Sequence, residues 1–291
     1  MSADPFVTHR NLLFTVAYEL LGSAADAEDV LQESWLRWSR VDRSEVRDAR
    51  AYLVRIVTRQ ALDLLRAQSR RREDYVGEWL PEPVLTSPDV ADDVALAESL
   101  SMATLTVLET LGPVERAVFV LHEVFDVPYD EIGAAVDKSP AAVRQIAHRA
   151  RQHVSARRPR IEVARAEQER VLEQFLAAFN TGDLQGLMDV LAPDVVSVAD
   201  GGGKVRGAAR RPIVGAGRLA AYLTGAIRKA GVGYRAVPSW VNGGPGALVE
   251  VDGEVVGALS IAIEGGHVAR IYAVANPDKL GRLGGMAILA R

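Results

Sequence analysis

Residues 127–154, VPYDEIGAAVDKSPAAVRQIAHRARQHV, decide the fold of the middle of the chain. The stretch predicts a first helix over Tyr129–Val136, followed by a turn at residues 137–138. Ser139 is a typical N-cap, and Pro140 is favoured at the first helical position, so a second helix begins there. The inward-facing residues of the first helix would be Ile132, Ala135 and Val136. The pattern is that of a helix-turn-helix.

The second helix of this motif has two different faces. Its apolar side would be formed by Val143, Ile146, Ala147, Ala150 and Val154. The side chains at or near the opposite side are small, polar or basic: Ser139, Ala141, Arg144, Gln145, His148, Arg149 and Arg151. Residues 138–160 carry seven Lys or Arg and no acid. A purely structural hairpin would need the apolar side but not this charge, so we expect the helix to read DNA bases with its first residues and to hold phosphates with later arginines.

Towards the N-terminus, residues 27–40 read AEDVLQESWLRWSR and residues 51–72 read AYLVRIVTRQALDLLRAQSRRR. A preceding apolar helix, Pro5–Leu21, is predicted to end at Gly22. In the first stretch the apolar residues recur at spacings of three and four, which predicts a buried helix face. Those residues are Val30, Leu31, Trp35 and Trp38.

The helix of residues 51–72 carries an arginine stripe. At about 100° per residue, four arginines fall within about 60° of arc. They are Arg55, Arg59, Arg66 and Arg70. Leu53, Val57 and Leu64 lie on the opposite side. Like charges four residues apart repel each other, so an uncompensated stripe favours a surface that faces a polyanion over one that faces only water.

Charge is strongly segregated along the 291 residues, although the net charge is only −4. Residues 19–35 carry −5, residues 43–72 carry +6, and residues 73–112 carry −9. Basic stretches of this size are typical of nucleic-acid binding.

Several classes of protein are excluded by composition. The chain has no cysteine, which excludes a disulfide framework, a thiol nucleophile and Cys-type zinc sites. No apolar run is long enough for a membrane span, and the N-terminus lacks a signal-peptide pattern, so we expect a cytoplasmic protein. The five histidines form no i,i+4 pair, and we expect neither a metal nor a cofactor.

Four segments follow from these patterns. Residues 1–72 and 98–158 are expected to be all-helical domains, and residues 73–97 an acidic linker with three prolines within eight positions. Residues 163–291 are expected to form an α+β domain. There, helices near residues 167–180 and 217–230 alternate with strands at 234–242, 247–251, 255–264 and 267–274. The expected sheet is curved and antiparallel, with Asp252-Gly253 and Gly265-Gly266 as tight turns.

The helical stretches resemble regions 2 and 4 of the extracytoplasmic-function σ factors of bacterial RNA polymerase, over roughly residues 5–72 and 98–158. The resemblance implies a promoter-specificity subunit that is not itself an enzyme. Its partners would be the clamp and flap regions of core RNA polymerase and promoter DNA, while the existence of an anti-σ protein stays open.

The resemblance also implies roles for individual residues. It implies a polymerase-binding surface at Asp29, Gln32 and Glu33. It implies −10 DNA contacts at Arg47, Arg50, Arg55, Arg59, Gln60, Asp63, Arg66 and Arg70. The −35 contacts would come from the helix that begins at Pro140, through the polar and basic face described above.

The C-terminal segment resembles the SnoaL-like branch of the NTF2-like fold, a cone-shaped α+β domain, as found at the end of some σ factors. Three short motifs accompany that arrangement: residues 79–83 (WLPEP), 200–204 (DGGGK) and 276–280 (NPDKL). We expect interdomain docking through Trp79, Pro81, Glu82, Pro83, Asp200, Gly202, Lys204, Asn276, Pro277 and Asp278. Trp79 is expected to fill a pocket, and Lys204 to meet Glu82 or a nearby linker acid.

Two other functions remain open for the C-terminal domain. It could be a fused enzyme of the cyclase or hydrolase type, with acid or base candidates at Asp200, Glu250, Glu264 and His267. It could instead bind a small ligand in its cone and change promoter activity as a sensor.

Overall fold

A computed structural model describes residues 4–72, 75–87, 90, 94–157, 164–230 and 233–290. The chain divides into two compact units. The helical unit comprises Met1–Asp74, Thr104–Arg158 and Ile288–Arg291, and the sheet unit comprises Tyr75–Ala103 and Pro159–Ala287. This division differs from the four predicted segments. The linker belongs to the sheet unit, and residues 288–290 belong to the helical unit.

The first eight helices of the described chain are α1 Pro5–Leu21, α2 Ala24–Trp38, α3 Ala49–Arg72, α4 Val94–Leu100, α5 Met102–Leu108, α6 Pro113–Phe119, α7 Tyr129–Val136 and α8 Pro140–Ser155. The helix α6 continues into a π-helical turn, Val120–Val124. A single 3₁₀ turn, Arg43–Glu45, lies between α2 and α3.

Helix α1 is the centre of the helical unit, and its predicted bounds are confirmed. Asp4 caps its first turn, since its carboxylate accepts from the Phe6 amide at 2.9 Å. Gly22 ends it at φ 67°, with its amide donating to the Tyr18 carbonyl. Ser23 then caps α2 through the Asp26 amide at 3.1 Å. Local capping therefore sets both ends of α1 and the start of α2.

One residue of the predicted α2 core face lies elsewhere. Val30, Leu31 and Trp38 are buried, but Trp35 is 38% exposed. Its ring packs edge-on against Phe6, with centroids 5.2 Å apart, so only one side of the indole is covered. The prediction of a core position for Trp35 is wrong, because Phe6 covers only part of its ring.

The helix-turn-helix is confirmed as α7 and α8. Asp137 adopts the left-handed conformation, φ 55°, and ends α7. The Ser139 hydroxyl accepts from the Ala142 amide and caps α8. Gly133 faces the turn, where an added Cβ would lie 2.6 Å from the Lys138 carbonyl. All the predicted apolar residues of both helices are buried.

A buried arginine joins α6 to α1 within the helical unit. Arg116 is 2% exposed, and its Nε donates to the Glu19 carbonyl at 3.0 Å. Its Nη1 forms an ion pair with Glu109. Burial lowers the pKa of Arg116 to about 9, because the charged form loses its hydration.

The remaining elements all belong to the sheet unit. They are α9 Arg165–Thr181, α10 Leu184–Val190, β1 Leu191–Asp200, β2 Ile213–Val214, α11 Ala216–Ala230, β3 Tyr234–Val241, β4 Gly244–Val251, β5 Glu254–Glu264 and β6 His267–Val274. The strands form one six-stranded sheet in the order β2-β1-β6-β5-β4-β3. The predicted helices and the four predicted strands are confirmed.

The sheet is mixed, and the expectation of an antiparallel sheet is wrong at one pair of strands. β1 runs parallel to β6, with Ser197 opposite Ile271. The two strands are far apart in sequence, and the chain between them passes through α11 and four more strands, so no hairpin constrains their direction.

Apolar side chains fill the space between the helices and the sheet. Phe175 and Phe179 of α9, 5.8 Å apart, pack with Leu219 of α11 and with Ile261 and Ile271 of the sheet. This cluster occupies the interior that the predicted cone would enclose.

We predict that Gly133→Ala destabilises the protein. The new methyl group would meet the Lys138 carbonyl, and overpacking of this kind costs about 1–3 kcal/mol. The expected result is a lower midpoint of thermal unfolding, measured by circular dichroism. Gly225→Ala in α11 is the control, since nothing lies within 4 Å of its added Cβ and a helical alanine stabilises. Equal midpoints for the two variants would contradict this account of the turn.

Candidate nucleic-acid and polymerase interface

The structure places the predicted −35 residues on the solvent side of α8. Its apolar residues are buried against α6 and α7, which leaves the opposite side accessible. The predicted residues are all exposed: Ser139, Ala141, Arg144, Gln145, His148, Arg149 and Arg151. Seven polar or small residues on one exposed face, beginning at the N-terminus of the helix, match the geometry that major-groove reading requires.

Two arginines of α8 have partners within the helical unit. The Arg144 guanidinium lies 5.9 Å from the centre of the Tyr129 ring. Arg151 donates to both carboxylate oxygens of Glu123, at 3.0 and 2.6 Å. These hydrogen bonds raise the pKa of Arg151. Arg151 must therefore exchange a protein carboxylate for a phosphate if it binds DNA.

The stripe on α3 is partly engaged by neighbouring side chains. Arg55 lies 5.1 Å from the centre of the Tyr52 ring, and Arg66 forms an ion pair with Asp63 at 3.1 Å. The Gln60 side chain is half-buried. The side chain of Arg70 lies outside the described residues.

Arg59 reaches from α3 to the helix-turn-helix. Its Nη2 donates to the Ala134 carbonyl at 2.7 Å and lies 3.0 Å from the Asp137 carboxylate. Its Nε also donates to the Ala135 carbonyl, at 3.4 Å. The end of α7 therefore occupies the donors of a residue that was predicted to contact DNA.

A concave site of about 420 Å³ lies beside this contact. Its walls come from the loop before α3, from the start of α3, and from α7. They include Arg47, Tyr52, Arg55, Glu131 and Ala134. An aromatic ring in a wall that also carries guanidinium groups is suited to stacking and charge contacts with an unpaired nucleotide. Arg50 is exposed on the first turn of α3.

The predicted polymerase surface lies on the outer face of α2. Asp29, Gln32 and Glu33 are all exposed, whereas Val30 and Leu31 between them are buried. Glu33 forms an exposed ion pair with Arg37 at 3.3 Å. The surface is acidic and accessible to a partner.

In the sheet unit, the linker is held by a buried carboxylate. Asp200 is 1% exposed and accepts hydrogen bonds from the Tyr75 hydroxyl at 2.5 Å, the Leu80 amide at 3.0 Å and the Gly202 amide at 3.0 Å. Lys279 Nζ lies 2.7 Å from the same carboxylate. Burial and the neighbouring carboxylate raise the pKa of the Tyr75 hydroxyl.

Leu80, rather than Trp79, fills the apolar pocket of the docked linker. Leu80 is fully buried in a cluster with Met102, Ala103 and Tyr272. Trp79 is half-buried, and Lys279 Nζ lies 4.0 Å from the centre of its ring. Trp79 does not fill a pocket as expected, because its indole covers the Lys279 ammonium group at the edge instead of entering the core.

Lys204 does not pair with the linker as expected. It forms an ion pair with Asp278 in which both side chains are more than half exposed. Pro277 is also exposed. Asn276 does contact the linker, since its side-chain amide donates to the Tyr75 hydroxyl at 2.8 Å. Pro81, Glu82 and Pro83 are buried in the linker.

A family-model comparison matches Sigma-70 region 2 to residues 6–71 and Sigma-70 region 4 to residues 101–154. The ECF RNA polymerase sigma factor SigJ of Mycobacterium tuberculosis is 39% identical over 96% of this chain and 93% of its own length. The chain belongs to the extracytoplasmic-function σ factors. A factor of this family directs RNA polymerase to promoters in transcription initiation.

Two further comparisons agree with this assignment, and each covers most of the chain. A probable ECF sigma factor of the same organism, SigI, is 33% identical over 94% of this chain and 92% of its own length. The crystal structure of M. tuberculosis SigJ superposes with a TM-score of 0.77 at 35% identity, covering 96% of this chain and 98% of that one.

The residues considered as acid or base for an enzyme in the C-terminal domain do not lie together in one site. Asp200 is enclosed by its four partners at the end of β1, and Glu250 forms an ion pair with Arg235 on β3. Glu264 and His267 are exposed at the β5–β6 turn. Within the described residues, no group of His, Asp or Glu is arranged to hold a metal ion, and no helix has the length and apolar character of a bilayer span.

Sequence reasoning missed three residues that hold the linker. They are Tyr75, Lys279 and Asn242. Asn242 accepts from the Val84 amide at 3.2 Å and donates to the Leu100 carbonyl at 3.2 Å. It adopts φ 54° in the β3–β4 turn, and an asparagine at the end of the predicted strand 234–242 was the available signal. Lys279 lies in the NPDKL motif, next to Asn276, Pro277 and Asp278, which were predicted to dock.

We predict that Lys279→Ala releases the linker. The substitution leaves the buried Asp200 carboxylate without its cation, and breaking a buried pair costs about 3–5 kcal/mol. Limited proteolysis should then cut within residues 75–87 at least tenfold faster. Lys204→Ala is the matched control, because its exposed pair contributes less than about 1 kcal/mol. An equally protected linker in both variants would show that Lys279 does not hold it.

Proposed function

We propose that this σ factor reads the −35 element with α8, binds the opened −10 element with α3 and its preceding loop, and contacts the polymerase clamp through α2. The observation that supports this most directly is the exposed face of α8, where all seven predicted residues are accessible. The residues implied by the family resemblance thus retain the roles given to them. We also infer that the factor works in the cytoplasm, beside its polymerase and DNA, and has no catalytic activity of its own.

The contact between α3 and α7 is best understood as a closed state of the free factor. The −10 and −35 elements are two separate sites along the promoter DNA. In the closed state Arg59 lies 3.0 Å from Asp137 in the turn that precedes α8. The two readers cannot reach both elements while this contact persists, so binding of polymerase must separate α3 from α7.

The sheet unit acts through the linker in this proposal. The segment that joins the two σ regions in sequence is bound to the sheet by Asp200, Lys279 and Asn242. A linker that is bound along one path restricts how far the two σ regions can separate. It therefore changes transcription activity without changing the bases that α8 reads.

We predict that Asp137→Asn makes the factor more active with core polymerase. The asparagine tolerates the left-handed conformation but removes the charge partner of Arg59, an exposed pair contributing about 0.2–1 kcal/mol. Run-off transcription on a promoter library should increase by up to about fivefold at limiting σ factor. Arg59→Ala should open the same contact yet lose −10 opening, detected by permanganate footprinting. Failure of the native factor to yield any run-off product would refute the proposed function, and an unchanged Asp137→Asn rate would refute the closed state.

We predict that two arginines of α8 differ in effect. Arg144→Ala should alter the preferred −35 sequence, since a good base contact contributes about 1–3 kcal/mol of discrimination. Arg151→Ala should weaken binding evenly across sequences and reduce the salt slope by about one, because it lies two turns further along the helix. Holoenzyme binding to promoter variants at two salt concentrations measures both. Unchanged sequence preference and salt slope in both variants would show that α8 is not the reading helix.

A further inference from the structure

The sheet unit contains a cavity of about 450 Å³ that borders the filled helix–sheet core and shares Ile261 and Ile263 with it. It lies beyond the end of the β4–β5 ladder, whose last pair at this edge is Gly246 opposite Ser260. Strand β5 continues past that pair, and residues 260–263 form one wall. Its volume is within the ~300–1,000 Å³ of pockets that hold small organic ligands.

The other walls come from three parts of the same unit. The β3–β4 turn at residues 242–245 and the first turn of α9 form two sides. The third is the α4–α5 junction at and after the end of the linker, with Ala97, Glu98, Ser101, Met102 and Ala103. These residues are held over the sheet because Asn242 binds the Leu100 carbonyl and Met102 packs against Tyr272.

The polar chemistry of the cavity centres on Ser260. This residue is 7% exposed and lines the cavity, so a ligand oxygen in the cavity can reach its hydroxyl. A hydroxyl in such a wall is the kind of polar group that orients a ligand in a mostly apolar pocket. Tyr272 lies directly opposite Ser260 in the β5–β6 ladder, and burial raises its pKa, so its hydroxyl stays protonated.

The charges on the walls do not select an ion. Glu98 and Arg165 contribute one charge of each sign, and Arg165 is engaged by Glu169 at 3.0 Å and by the Trp240 ring at 5.2 Å. Met102, Pro245 and Ile261 supply apolar contact. The wall therefore fits an uncharged, largely apolar molecule with an oxygen that accepts a hydrogen bond.

We propose that this cavity binds an uncharged, largely apolar carbonyl compound, with the Ser260 hydroxyl donating to the carbonyl oxygen. The bound molecule would contact the α4–α5 junction from below and hold the linker in its docked path. This site differs from the cone interior that the SnoaL-like resemblance suggested, because apolar side chains fill that interior.

The test uses prodan, an uncharged naphthyl ketone whose emission shifts to the blue in apolar sites, and the full-length protein. We expect saturable binding at one site per chain. Ser260→Ala should weaken it roughly 2- to 10-fold, the contribution of one neutral hydrogen bond. Ala164→Trp at the exposed rim should abolish it. Prodan should also slow amide exchange in residues 97–103.

Two matched variants control for indirect effects. Ser197→Ala removes another buried serine hydroxyl of the sheet, and Leu184→Trp adds an indole at an exposed site outside the cavity. Both should bind prodan like the native protein. No saturable binding, or binding that Ser260→Ala and Ala164→Trp leave unchanged, would overturn the proposal. The assay contains neither polymerase nor DNA, so its outcome is independent of the proposed promoter function.

Discussion

The buried carboxylate of Asp200 organises the sheet unit and the path of the linker. A charge that is 1% exposed is strongly unfavourable unless cations and hydrogen-bond donors surround it. Here the donors come from three separate parts of the sequence: the linker, the loop after β1, and the 3₁₀ turn after β6. Each must be in place for the others to be satisfied, so the linker and the C-terminal loops are expected to order together.

The loop after β1 needs glycine because the backbone there is left-handed and passes close to another side chain. Gly202 adopts φ 58°, and an added Cβ would lie 2.5 Å from the side-chain amide nitrogen of Asn276. That closeness lets the Gly202 amide turn onto the Asp200 carboxylate while Asn276 reaches the Tyr75 hydroxyl. At the other end of the linker, Asn242 serves the same purpose with a neutral amide. Two sets of contacts, one with a charged group and one with a neutral amide, thus hold residues 75–87 and 94–100 and form the cavity beneath α4.

The parts of the structure that were predictable are those determined by short-range patterns. The cap at Ser139 and the periodic apolar residues of α8 required only a few neighbouring positions, and they were identified correctly. The parallel pairing of β1 with β6 depends on residues that are some seventy positions apart, and nothing local encodes its direction. The same holds for the site: the exposed face of α8 follows from its own periodicity, whereas the partner of Arg59 on α7 depends on tertiary packing. Lys204 and Lys279 are both plausible partners for an acid, and only the packing decides between them.

The last described residues return to the helical unit, where the Ala290 amide donates to the Thr15 hydroxyl of α1 at 3.0 Å and Leu289 is buried. Residues separated by 275 positions are thus assembled in one fold. During synthesis, N-terminal domains usually fold first as the chain emerges from the ribosome. Here α1 can acquire its final neighbours only after the ribosome has translated the whole sheet unit. An interrupted translation product would therefore leave the first helix incompletely covered, so the helical unit is completed only by residues that follow the sheet unit in the sequence.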